Sequence, residues 1–109
     1  MPIITDKHFE NDIKQGITIV KFHSLWDSSC RAFEGAFRQL AEEFKGRARF
    51  MESDINANPD LAEDMEIRKI PTVIVFVNGK KIAKIESISS KRYLKEMLDS
   101  YIGRMEKIT

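Results

Sequence analysis

The residues of this chain whose types could do chemistry lie together in Leu25-Trp26-Asp27-Ser28-Ser29-Cys30-Arg31. The stretch holds the only cysteine among 109 residues, three positions after a carboxylate. A thiol near the start of a helix can act as a nucleophile, because the positive end of the helix dipole favours its thiolate. Asp27, with Ser28 and Ser29, has a structural use as well: its side chain can accept from the first free amides of a helix. Cys30 by itself supports two readings. It can be a small buried residue on an apolar helix face. It can instead be a lone thiol that is oxidised, glutathionylated or joined to a partner's sulfur. One cysteine excludes an internal disulfide. With His8 and His23 far apart, it forms no metal-site pattern, and no metal or cofactor is expected.

These residues need a strand before them and a helix after them. Ile17-Thr18-Ile19-Val20-Lys21-Phe22-His23 is β-branched and aromatic with little polar alternation, the pattern of a strand covered on both faces. Lys21 is the exception within it. From Ser28 the period changes, and Cys30, Phe33, Phe37, Leu40, Ala41 and Phe44 fall on one helix face that ends at Lys45-Gly46. Upstream, Ile3-Ile4 suits a short first strand. Thr5 suits the cap of a helix over about 6–14, with Phe9 and Ile13 inward and Gly16 closing it. Downstream, 49–54 reads as a strand, and Asn58-Pro59 opens a short helix with Leu61, Ala62 and Met65 inward. Residues 73–77 read as a buried strand. Asn78-Gly79 is a hairpin turn, and 80–86 return as an edge strand guarded by Lys80, Lys81 and Lys84. Ser89 or Ser90 caps a last helix with Leu94, Met97, Leu98, Tyr101, Ile102 and Met105 as its stripe. This order predicts an α/β fold, a central mixed sheet of about five strands flanked by four helices.

The totals set limits. A chain of 109 residues suits one domain, 1–109, with a core of its own. Charged residues reach 32% but nearly cancel, to +1, so nothing points to nucleic acid. There is no apolar run long enough to cross a membrane and no basic start followed by an apolar stretch. The expectation is a cytoplasmic protein with neither nucleic-acid nor membrane partners.

Trp26 followed by X-Ser-Ser-Cys, between a strand and a helix, resembles the active-site loop of the thioredoxin family, Trp-Cys-X-X-Cys. Val20-Lys21-Phe22, Asn58-Pro59, Ile70-Pro71-Thr72 and Asn78-Gly79 extend the resemblance over almost the whole chain. It implies a thioredoxin fold, a cis bond before Pro71, and a groove there for an extended polypeptide. Trp26, Lys69, Ile70, Pro71, Thr72, Ser87 and Ile88 would line that groove. Lys69 stands where the family commonly has Gly, and the Glu86-Ser87-Ile88 lip is more charged than usual, which suits a narrower set of partners.

The resemblance also implies a lost reaction. Asp27 stands in the place of the attacking cysteine, and a carboxylate cannot take part in thiol–disulfide exchange. Lys21 stands where the family usually buries an Asp, and Glu52 where it usually has a Lys. The two would then form a partly buried ion pair beneath the loop; the alternative is that Lys21 snorkels to water. An ammonium nearby lowers a thiol pKa, whereas Asp27 and burial raise it. Peroxiredoxins, relatives of this fold, add a third and looser reading of Cys30, as a peroxide-reactive thiol. The leading expectation is a degenerate-site protein, poor or inactive as a disulfide reductase, that holds a polypeptide or thiol-containing partner beside Pro71. The alternative is a single-thiol redox protein in which Cys30 forms mixed disulfides, with glutathione among its candidate partners. A third class is an interaction subunit that uses the sheet edge at 80–86.

Overall fold

The computed structural model describes residues 2, 3, 5 and 7–108. The sheet is built outward from β1 (Ile17–His23), whose apolar side chains are buried on both faces. β1 pairs in parallel with β2 (Arg49–Asp54) and antiparallel with β3 (Thr72–Val77). β3 pairs antiparallel with β4 (Lys80–Ile85), so the order is β2-β1-β3-β4. The lysine-bearing β4 therefore lies at one edge. In the parallel register Lys21 stands opposite Glu52.

Among the described residues four strands form this sheet, where about five are expected. In the segment expected to supply the first, Ile3 bridges in parallel to Glu52, supported by the Glu52 amide donating to the Pro2 carbonyl. Ile3 stays exposed, so little apolar burial favours a longer pairing there. Ile4 lies outside the described residues.

Alternation along the strands separates two cores. On one face, Ile19, Val73 and Val75 meet α2 (Ser28–Glu43) and α4 (Lys91–Ile108) through Phe37, Leu40, Leu94 and Leu98. On the other, Val20, Phe22, Ile74 and Phe76 meet Ile13 and Leu61, beside α1 (Phe9–Asp12) and in α3 (Pro59–Asp64). Phe9 packs edge-on against Phe76, with ring centroids 5.5 Å apart.

Helix α1 is shorter than the sequence pattern suggests. His8, not Thr5, is its N-cap, and no side chain caps it; Thr5 offers only its carbonyl, to the His8 amide. Without a capping side chain little favours an earlier start. The expected first residue, Asp6, lies outside the described residues. Asn58 does occupy the N-cap of α3 with Pro59 following, but its side-chain amide donates back to the Asp54 carbonyl at 3.2 Å instead of capping. Ser90 caps α4, accepting from the Tyr93 amide at 3.0 Å.

The Asn78-Gly79 turn has positive φ at both residues, 49° and 86°, as a tight hairpin requires. Asn78 also ties the hairpin to the start of β1: its side-chain oxygen accepts from the Gly16 amide at 2.8 Å, and its own amide donates to the Gly16 carbonyl at 2.9 Å.

Candidate functional site

The loop between β1 and α2 is shaped by Asp27. Its backbone is extended, and its Oδ1 accepts from the Cys30 amide at 2.9 Å and from the Ser29 hydroxyl. Asp27 is thus the N-cap of the helix that the site sits on. The Ser29 hydroxyl first, then the Cys30 amide, hold its carboxyl below the usual carboxylate range.

Cys30 lies in the first turn of α2 with 4% of its surface exposed. Burial pushes its thiol pKa up, and the hydrogen bond and charge of Asp27 act in the same direction. The Ser24 amide and the Lys21 ammonium oppose the rise without cancelling it. The thiolate is the reactive form, and this environment disfavours it.

Lys21 is 1% exposed and does not run to water. Its Nζ lies 3.6 Å from Glu52 Oε2 and 5.1 Å from the centre of the Phe37 ring. Glu52 is 19% exposed, so the pair lies at the rim of the core with the cation inside. At this separation the contact is one of charge rather than a hydrogen bond, and Glu52 Oε2 has no hydrogen-bond partner among the described residues.

His23, which the sequence places in no metal-site pattern, joins this group. It is buried two residues after Lys21 on the same strand face. Burial, and then the positive charge of Lys21, hold its imidazole pKa below the ordinary value. The i, i+2 spacing was the signal that could have found it. Lys21, His23, Cys30, Glu34 and Glu52 all border a cavity of about 30 Å³. That space suits about one water molecule and is too small for an organic ligand.

Of the groove residues, Trp26 lies in the loop and the others lie outside it. Trp26 is 84% exposed and Leu25 is exposed beside it, so Trp26 stands further into solvent than a residue packed on the loop. The Ile70–Pro71 bond is cis. Thr72 opens β3, paired with Phe22, and its hydroxyl donates to the Lys69 carbonyl at 2.5 Å. Lys69 Nζ reaches Ser87 Oγ at 3.5 Å, joining the segment before Pro71 to the segment after β4. Ser87 has a positive φ of 52°, and Ile88 is partly buried against the core beneath α2 and α4. The structure therefore gathers Lys21, Glu52, His23 and Cys30 under the loop, and Lys69, Thr72 and Ser87 around the proline segment. Among the described residues no three His, Cys, Asp or Glu side chains converge as a metal site, and no helix is long and apolar enough to cross a membrane.

A four-stranded mixed sheet with helices on both faces, a capped loop after its inner strand and a proline segment before the next define an α/β protein of thioredoxin type. The family model described as Thioredoxin matches residues 1–100. A protein named Thioredoxin from Staphylococcus haemolyticus is 31% identical over 99 residues, covering 91% of this chain and 95% of that protein. Proteins of the same name from Staphylococcus aureus and Staphylococcus saprophyticus are 30% and 29% identical over the same shares of each chain. The chain belongs to the thioredoxin family.

Two outcomes follow for stability. Asp27→Ala lowers stability to urea at pH 7, and Asp27→Asn, which still caps, lowers it less. A carboxyl whose folded pKa is depressed contributes stability that is present above its unfolded value and lost as pH falls through the folded one. The difference between wild type and Asp27→Ala therefore closes below about pH 4. Glu52→Gln leaves the Lys21 ammonium buried without its counter-charge and costs about 3 kcal/mol in the same measurement; Lys21→Met/Glu52→Gln recovers most of that loss.

Proposed function

We propose that this chain acts as one domain that holds a polypeptide segment beside Pro71 and does not reduce disulfides by a two-thiol cycle. The observation that carries the reading is Asp27 at the N-cap of α2, bonded to the Cys30 amide at 2.9 Å. In a two-thiol cycle the attacking sulfur must be a thiolate, and the second thiol must resolve the mixed disulfide. Here the first of those positions, assigned by resemblance, holds an oxygen acid that can form no disulfide. Trp26, Lys69, Ile70, Pro71, Thr72, Ser87 and Ile88 are the proposed binding surface. The exposed Trp26 and Leu25 support this, as large apolar side chains left in water beside a groove. The proposed setting is cytoplasmic, in keeping with a lone cysteine.

The lone-thiol alternative, with glutathione or a partner's sulfur on Cys30, needs an accessible and activated thiolate. Burial and the raised thiol pKa weigh against it, and they weigh equally against a peroxide-reactive Cys30. The same difference supplies a measurement. Native Cys30 alkylates far more slowly at pH 8 than the urea-unfolded chain does. Fast native alkylation, with a midpoint well below about 8.5, would restore the lone-thiol reading.

Insulin reduction with dithiothreitol shows no protein-dependent rate; clear turnover would sink the proposed loss of two-thiol chemistry. Binding is read separately. Trp26 is the only tryptophan, so its emission reports on the groove. A thiol-blocked unfolded polypeptide shifts that emission, and Ile70→Asp weakens the binding by about tenfold or more. No shift at any concentration would move the search for partners to the β4 edge.

A further inference from the structure

The end of β1 away from the loop borders an open cleft of about 620 Å³ that has no part in the site above. It lies between the α1–β1 turn, residues 11–17, and the α2–β2 turn, residues 46–49. Its volume is that of a small-molecule site. The charged side chains that line it are Lys14, Arg47 and Arg49, and no Asp or Glu is among the lining residues.

The three cations are not equivalent. Arg47 is neutralised from α4, donating to the Glu106 carboxylate at 3.0 and 3.1 Å with Asp99 at 3.9 Å. Among the described residues Arg49 donates only to neutral acceptors, the Asp12 carbonyl and the Thr18 hydroxyl. Those bonds fix its guanidinium without cancelling its charge. Lys14 is exposed and enters no ion pair among the described residues. The Gln15 and Gly46 amides donate to no backbone carbonyl in the two turns. One concave space is thus bordered by two uncompensated cations and two amides free of backbone partners. With a net charge of only +1, the attraction for an anion here is local rather than a field of the whole molecule.

We propose that this cleft binds a polyphosphate-type oxyanion, either free or carried on a phosphorylated lipid headgroup. A guanidinium fork, an ammonium and backbone amides are the donors that phosphate oxygens take. Linked phosphates offer more oxygens and more negative charge to the two cations, Lys14 and Arg49, than a single phosphate does. The inference is independent of what the groove binds.

The test is a titration with inorganic pyrophosphate, followed by amide ¹H–¹⁵N spectra at constant ionic strength. Saturable shifts confined to residues 11–17 and 46–49 are expected. Lys14→Glu, a change on an exposed side chain, weakens the binding by about tenfold or more. Arg49→Gln does the same, with retained spectral dispersion reporting an intact fold. No saturable shift, shifts reproduced by chloride, or binding that survives both substitutions would overturn the proposal. A second arm assigns the source. Co-sedimentation with phosphatidylcholine vesicles containing phosphatidylinositol 4-phosphate, abolished by Lys14→Glu and absent with phosphatidylcholine alone, places the anion on lipid. Pyrophosphate binding without co-sedimentation places it on a free polyphosphate.

Discussion

An ammonium buried in the central strand needs a counter-charge, and much of the geometry around the loop follows from meeting that need. Lys21 is almost wholly removed from water, and Glu52 stands 3.6 Å away on the neighbouring strand. The pairing holds only in the register that sets Lys21 opposite Glu52, because a shift of one residue would turn Glu52 to the other face of the sheet. Phe37 of α2 presents its ring to the same ammonium, which links the helix to the strand beneath it. The charge reaches further still: it helps to hold His23 below its ordinary pKa and opposes the rise at Cys30.

Above that pair, Asp27 does what a first-turn residue does best for a helix. The oxygen that receives the Cys30 amide satisfies a donor with no partner inside the helix, and its negative charge lies at the positive end of the dipole. A thiolate there would gain from the same dipole and would be usable in exchange. A carboxylate gains from it and is inert in exchange. On the proposed reading, the cap and the absence of an attacking sulfur are two consequences of one side chain. Cys30, left without a partner thiol, sits where burial and the neighbouring carboxylate both favour the protonated form.

The two ends of β1 are chemically distinct. At the loop end, Lys21 and Glu52 are paired under the surface, and two large apolar side chains, Leu25 and Trp26, stand exposed. At the other end, the turns leave Lys14 and Arg49 without carboxylate partners among the described residues, around an open cleft. The even balance of charge across the sequence conceals this separation, because composition counts charges and does not place them.

Periodicity and turn chemistry in the sequence were enough to specify the sandwich of helices and sheet. Residues 17–23 read as a strand covered on both faces, Asn78-Gly79 as a tight turn, and the apolar spacing from Cys30 to Phe44 as a helix face, and each is found so. Asp27 as a cap was legible for the same reason, since capping is a local interaction between near neighbours. The extent of the first helix was misjudged because it depends on capping that short-range pattern does not report: α1 starts at Phe9 without a side-chain cap. Whether Lys21 met Glu52 or ran to water, whether Cys30 faced solvent, and that His23 shared their cavity were decided only by the tertiary structure. Those outcomes depend on distances between segments far apart in the chain. A charge, a thiol and an imidazole take their chemistry from the water and the charges that folding removes from them or brings to them.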